Sequence, residues 1–351
     1  PDGSHSPISW PEAKSLLLGK LEAAGEKLLC LSGDENGSSS AVLSAFLRGR
    51  GSEKMFFMPS EAQCLSLAWQ RSRYANSSRH YSSQVGFDFE RADLVLAIGA
   101  NIMESWGTFI RNRRVVAPSL YYAGPVHNQT AAPAVGGGGS WLPLRAGPAT
   151  VPALGLANGL LQTHGKKLSN PAFAQIERSL AKFDPSYVAA ITGLAPRRLE
   201  EICARLAQAA SPLVVCGSEF GQGAGCGPAL AGLLLNLLLR GPITAVPVHT
   251  AALNGARSRA TIYRSDIVAE LAAWQGRPDV NMAIFYEANP AYALPDPASV
   301  ADKIRAIPFK LSFASFLDET ATLCDRVLPT PLGLEKLDDI ESPQGCGKVF
   351  Y

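Results

Sequence analysis

What most constrains this chain is a recurring unit, a short apolar run that ends abruptly in a loop of small or amide residues. Asp93-Leu94-Val95-Leu96-Ala97-Ile98-Gly99-Ala100-Asn101 is one instance, Pro212-Leu213-Val214-Val215-Cys216-Gly217 a second, and residues 280–290, ending Glu287-Ala288-Asn289-Pro290, a third. Apolar runs of this length without alternation read as strands buried on both faces, which belong to parallel sheets covered by helices. Residues 28–32, 55–58 and 310–313 read as further strands, with helical patterns at 153–161, 171–182 and 196–209. Strand and helix alternating from end to end predict a doubly wound α/β chain. At 351 residues with 47% hydrophobic content, the chain exceeds what one core of roughly 250–300 residues holds, so two domains are expected.

Charge and cysteine usage exclude several classes of function. A formal net charge of +2, with no basic run, gives no footprint for nucleic acid. The seven cysteines (Cys30, Cys64, Cys203, Cys216, Cys226, Cys324 and Cys346) form no C-x-x-C pair. No metal cluster or disulfide framework is therefore expected, and the thiols read as small buried apolar groups. The longest apolar stretch, 229–239, is broken by Gly232 and Asn236 and is shorter than the roughly 20 residues of a membrane span. The opening Pro1-Asp2-Gly3-Ser4-His5 lacks the pattern of a signal peptide.

Local signals sharpen the picture. Ser9, followed by Trp10-Pro11-Glu12, reads as the N-cap of a first helix. Residues 70–89, rich in Arg, Ser, Tyr and His, read as an irregular surface or cleft-lining segment. Residues 118–147, with Gly136-Gly137-Gly138-Gly139-Ser140, have the composition of a flexible linker. Gly221-Gln222-Gly223-Ala224-Gly225-Cys226-Gly227 opens an apolar helix and could present N–H groups to an anion. The loop after Gly99 lacks G-x-G-x-x-G and a later ribose-binding acid, which argues against a nicotinamide dehydrogenase. His80, His127, His164 and His249 have no ligand partner at helical spacing, so none is assigned a catalytic role.

Four segments in order resemble the molybdopterin oxidoreductase family: Ile8-Ser9-Trp10-Pro11-Glu12-Ala13, the run 92–101, Glu287-Ala288-Asn289-Pro290, and Glu319-Thr320-Ala321 through Asp325-Arg326-Val327-Leu328-Pro329. The run 234–243 is similar to the family helix that follows a pterin-contacting loop. The resemblance implies two Rossmann-like doubly wound domains of the molybdopterin oxidoreductase type, with the cofactor between them. The first would be discontinuous, residues 1–65 plus 262–351, and the second would be 66–261. The family pattern also carries an iron–sulfur domain ahead of the Trp10 motif and a closing domain beyond Leu328-Pro329.

The same resemblance tests the cofactor. The family's guanine nucleotides need carboxylates to accept from the N1–H and amino edge, and one such Asp stands in an Asp-Pro pair. Here the corresponding pair is Gly124-Pro125, ahead of Asn128-Gln129-Thr130-Ala131, and a nearby Gly-Thr-Asp motif becomes Gly147-Pro148-Ala149. Candidates for a metal ligand, Cys64, Ser77, Ser78, Ser82 and Ser83, lack the family's context and read as a buried thiol and loop hydroxyls. What survives is a vestigial cleft of Gly99, Asn101, Trp106, Gly124, Gly217, Asn289, Pro290, Thr320 and Asp325, with Trp106 and the Tyr121-Tyr122 segment expected to fill the emptied site. Strand-ending glycines, an Asn-Pro turn and caps at Thr320 and Asp325 would also be kept for folding alone.

Cofactor-less members of the family imply a function without catalysis in this chain. The expectation is a structural subunit of a periplasm-facing membrane respiratory complex that passes electrons from cytochrome c to menaquinone, as in sulfate-reducing bacteria. It would lie peripherally on the periplasmic side of the inner membrane. Its partners would be a multihaem cytochrome c subunit, an iron–sulfur subunit and an integral-membrane quinone-binding subunit, which carry the haem c and iron–sulfur clusters. The alternatives are an active molybdenum or tungsten enzyme using molybdopterin guanine dinucleotide on a small anion, and a subunit of alternative complex III.

Overall fold

The computed structural model describes residues 5–34, 38–59, 65, 83–104, 119–132, 139–147, 149–165, 174–217, 226–241, 243–247, 267–274, 278–337, 339–341 and 348–350. In chain order the first elements are α1 (Trp10–Ala24), β1 (Leu28–Ser32), α2 (Ser38–Gly49), β2 (Met55–Phe57), β3 (Ser83–Phe87), β4 (Leu94–Ile98), β5 (Leu120–Gly124) and β6 (Ser140–Pro143). The helices α3 (Thr150–Thr163), α4 (Ala174–Leu180), α5 (Pro185–Thr192) and α6 (Pro196–Gln208) follow. Then come β7 (Pro212–Cys216), α7 (Cys226–Leu239), β8 (Ile243–Pro247), α8 (Ile267–Ala273) and β9 (Met282–Tyr286). The last are α9 (Pro290–Ala293), α10 (Pro297–Arg305), β10 (Phe309–Ala314), β11 (Arg326–Pro329), β12 (Asp339–Glu341) and β13 (Lys348–Phe350).

The chain divides into two compact units. One comprises residues 1–59, 250–342 and 347–351, and the other comprises 60–249 and 343–346. The first unit holds a parallel sheet in the order β11-β10-β9-β1-β2. Leu28–Ser32 runs beside Met282–Tyr286 with Cys30 opposite Ile284. All five residues of β1 are buried, as a strand with helices on both faces requires. The start of α1 follows from its sequence. Glu12 N–H donates to Ser9 Oγ at 3.4 Å, and the Glu12 carboxylate accepts from Ser9 N–H at 3.0 Å, a reciprocal capping box.

The second unit holds the parallel sheet β6-β5-β4-β7. Among the described residues β7 is an edge strand, and a side chain caps its backbone at Val214. Asn236, from the leucine-rich α7, accepts from Val214 N–H at 3.0 Å and donates to Val214 O at 2.6 Å. A buried amide thus serves the Val214 backbone as a neighbouring strand would. In α6, Leu199, Ile202, Cys203 and Leu206 are buried at helical spacing, the stripe of a helix laid on a core. Strand β3 pairs antiparallel with β8, and β12 with β13.

Two sequence expectations need correction. The linker reading of 118–147 fails at its described residues 119–132 and 139–147, because β5 and β6 lie there and extend the second sheet, while 133–138 lie outside the described residues. The Leu-Tyr-Tyr core of β5 is buried throughout, but proline and glycine on either side hide its strand character. The tail of the segment 70–89 is likewise regular, since Ser83–Phe87 is a strand whose partner lies far along the chain. Among the described residues, no helix is long and apolar enough to cross a membrane.

Candidate functional site

In an open α/β sheet, ligands bind beyond the carboxyl ends of the strands, where strand order reverses. In the second unit that point lies between β4 and β7, and in the first between β1 and β9. Gly99 and Gly217 stand at the former: Gly217 N–H donates to Ile98 O, and Gly99 N–H to Ala123 O, both at 2.9 Å. Gly99 has φ +58, a left-handed conformation that glycine adopts without penalty.

Around these turns each unit carries the same small network. Thr130 donates its hydroxyl to Asn101 Oδ1 at 2.5 Å and accepts from Met103 N–H at 3.2 Å. In the first unit Thr320 donates its hydroxyl to Asn289 Oδ1 at 2.8 Å and accepts from Ala291 N–H at 3.0 Å. Asn101 Nδ2 donates to Glu104, and Asn289 Nδ2 donates to Glu319 at 2.6 Å. Both threonines are fully buried. Even the cap before each is shared: Ala131 N–H donates to Asn128 Oδ1 at 3.0 Å, and Ala321 N–H to Asp318 Oδ1 at 2.7 Å.

Electrostatically these networks hold charge in place rather than poise it for transfer. The Glu319 carboxyl is kept below its ordinary range, first by the Asn289 hydrogen bond and then by its own backbone N–H, with burial opposing. Asp325 accepts from Lys310 N–H at 2.8 Å and pairs with Lys310 Nζ at 3.0 Å. Lys310 also donates to Ile307 O at 2.9 Å, so this nearly buried cation is satisfied. Burial pushes the Cys30 and Cys324 thiols up to about 12 and Cys203 up to about 11. Such thiols stay protonated and inert at neutral pH.

Gly124 ends β5, with Tyr122 two residues earlier on the same face of the strand. Tyr122 is fully buried, and its hydroxyl accepts from Asn128 Nδ2 at 2.9 Å. Trp141 Nε1 donates to Gly124 O at 3.1 Å. A Cβ placed on Gly124 would lie 2.5 Å from the Tyr122 hydroxyl oxygen and 2.6 Å from its ring carbon. Position 124 therefore has no room for any side chain while Tyr122 stays in the core. Where the resemblance would put the carboxylate for a guanine edge, the Tyr122 phenol takes up the space. The residues present do not fit the family's guanylyl pterin at this position.

The expected cleft residues thus divide between the units. Gly99, Asn101, Gly124 and Gly217 gather at the carboxyl end of the second sheet. Asn289, Pro290 and Thr320 lie at the same end of the first. Pro290 opens α9 with Asn289 as its N-cap. Asp325 is at the opposite, amino-terminal end of β11 and works as a structural partner of Lys310. It also lines an open groove of about 680 Å³ with His5, Trp10, Phe316 and Leu328. Trp106, Cys64, Ser77, Ser78, Ser82 and the glycine-rich entry to α7 lie outside the described residues. Among those described, no group of three His, Cys, Asp or Glu is arranged to hold a metal.

Sequence reasoning missed Thr130, Glu104 and Lys310 as working parts. The signal for Thr130 was available. Asn101 and Thr130 are separated by 29 residues and Asn289 and Thr320 by 31, and both threonines precede alanine.

The sequence matches no protein-family model. Along its whole length it is similar to the menaquinone reductase, molybdopterin-binding-like subunit of Nitratidesulfovibrio vulgaris (strain Hildenborough). The two are 42% identical over 371 aligned positions, 100% of this chain and 52% of that protein. The chain thus spans about half the length of this curated relative. Among solved structures, acetylene hydratase from Pelobacter acetylenicus has a TM-score of 0.73 at 16% identity, covering 98% of this chain and 55% of the other. That likeness shows the fold.

Proposed function

We propose that this chain, whose fold is of the molybdopterin oxidoreductase type and whose relative is a menaquinone reductase subunit, is a structural subunit that carries no redox cofactor of its own. The observation supporting this reading is Gly124. The resemblance assigns this position to a nucleotide-binding Asp, and here Tyr122 fills the space. A site that bound guanine would leave that space open and line it with charge. This one spends a buried aromatic ring, roughly 150–250 Å² of surface, on the core.

On this reading the polypeptide stands in a periplasm-facing membrane complex that transfers electrons from cytochrome c to menaquinone. Its role is positional: it holds a multihaem cytochrome, an iron–sulfur subunit and a quinone-binding membrane subunit within reach of one another. The relative's name supports the menaquinone reductase assignment. The test is purification of the protein with whatever subunits accompany it, followed by identification of those subunits and a menaquinone-reduction assay. Co-purification of haem- and quinone-binding subunits is expected. Turnover of a small anion by this chain alone would overturn the proposal.

A further inference from the structure

In the first unit a segment of the chain runs from the carboxyl end of β10 to that of β9. After β11, Thr330 N–H donates to Ala314 O at 3.2 Å, and the Ser315 hydroxyl meets Thr330 O at 3.0 Å. Residue 330 therefore lies beyond the end of β10. The next residues make a turn closed on itself, with Leu332 N–H donating to Glu335 Oε2 at 2.9 Å and Glu335 N–H to Leu332 O at 2.8 Å. Lys336 Nζ then reaches both carboxylate oxygens of Glu287, at 3.1 and 2.9 Å, beyond the end of β9. Glu287 borders the reversal point itself, because a Cβ on Gly33, just after β1, would overlap the Glu287 carbonyl.

Glu287 has φ +47, a left-handed conformation that disfavours residues other than glycine. At the equivalent turn of the second unit, after β4, the residue is Gly99. A glutamate in a glycine position needs compensation, and its carboxylate finds a two-pronged contact in Lys336. Both side chains are mostly shielded, at 25% and 19% exposure. The segment that delivers Lys336 has no buried side chain from 331 to 337, and Leu334 and Leu337 point into solvent. Apolar packing does not fix it closed.

We propose that residues 330–337 form a strap, latched by Lys336 on Glu287, that closes the crevice at the carboxyl ends of β1 and β9. The chain thereby supplies its own cation where an entering ligand would have to pass. Because packing contributes little, loss of the latch opens the strap while the sheet beneath it stays folded. The inference holds whether or not the chain carries a cofactor.

Hydrogen–deuterium exchange on the intact protein tests it. Lys336→Met and Glu287→Gln should each speed exchange of the amides of 332–337 by about tenfold while β9 and β10 stay protected. The swapped pair Lys336→Glu with Glu287→Lys should return the strap to within about threefold of wild type. Should a variant fail to fold, the wild type in molar salt gives the same reading, since a partly exposed ion pair is screened, and the strap alone should exchange faster. Strap amides that exchange alike in wild type, both single variants and high salt would overturn the proposal.

Discussion

Thr320 is joined to Asn289 twice: its hydroxyl and its backbone N–H both end on Asn289 Oδ1, at 2.8 and 3.2 Å. The same hydroxyl also accepts from Ala291 N–H, so one buried oxygen organises the loop after β9. Thr320→Val keeps the shape but leaves that N–H unpaired and takes away one of the two donors on Asn289 Oδ1. A loss of about 2–3 kcal/mol is expected, measured by denaturant unfolding. Thr320→Ser should recover most of it, and Thr130→Val should cost a similar amount in the second unit.

Gly124→Asp does not rebuild a nucleotide site. The added Cβ meets the Tyr122 ring, and overpacking a full core costs about 1–3 kcal/mol. Adding Tyr122→Ala makes room but opens a cavity of its own, at about 3–5 kcal/mol. Thermal unfolding of the two variants, with calorimetry against guanosine diphosphate, checks this. Both should be destabilised, and Gly124→Asp alone should bind no nucleotide.

Asn236→Leu removes the amide that caps the β7 backbone at Val214. Val214 N–H and O are then buried without partners, at a cost of about 2–4 kcal/mol. Asn236→Asp should be no better, because a carboxylate cannot donate to Val214 O and brings a charge into the helix–sheet core. Chemical denaturation with aggregation monitored by light scattering separates lost stability from an exposed strand edge.

Glu287→Gly probes the strain directly. It relieves a left-handed glutamate, worth about 1–2 kcal/mol, while removing the latch, so the melting temperature should hold or rise even as strap exchange accelerates. A large drop in melting temperature would mean that the ion pair, rather than the sheet, stabilises the turn.

The carboxyls of Glu319 and Asp279 are both held below their ordinary values. For Glu319 the cause is the Asn289 hydrogen bond, and for Asp279 the hydrogen bond and charge of Lys54. A depressed folded pKa gives stability that is present above the ordinary carboxylate value and lost as pH falls through the depressed one. Lys54 is opposite in sign. Burial disfavours its charge, but hydrogen bonds and charges from Asp279 and Glu270 outweigh that and raise it above 10.5. Its share is therefore constant through neutral pH and lost only in strong alkali. Melting curves should fall on the acid side below about pH 4, and Glu319→Gln and Asp279→Asn should each flatten that limb.

The strands buried on both faces were legible in the sequence because their apolar runs are continuous: β1, β4, β7 and β9 lie within the runs 28–32, 93–101, 212–217 and 280–290, and β10 covers 310–313. The first helix was legible through Ser9 and Pro11, and the structure adds Glu12 as the partner in its capping box. What stayed hidden depends on distant partners. β5 and β6 sit among prolines and glycines, and β3 has its partner in β8, far along the chain. The threonine–asparagine pairs show only when the two units are compared, at separations of 29 and 31 residues with alanine after each threonine, since neither residue signals the other locally. The displacement of a side chain at position 124 by Tyr122 depends on rotamer and packing, which no spacing rule reveals.

Under the proposed function, the fold persists without a molybdenum or tungsten cofactor in this chain. Elemental analysis of the purified full-length protein for molybdenum and tungsten, with extraction for guanine nucleotide, addresses it most directly. Both metals are expected far below stoichiometric, with no guanine nucleotide released on denaturation. One molybdenum or tungsten per chain, released together with guanylyl pterin, would contradict it.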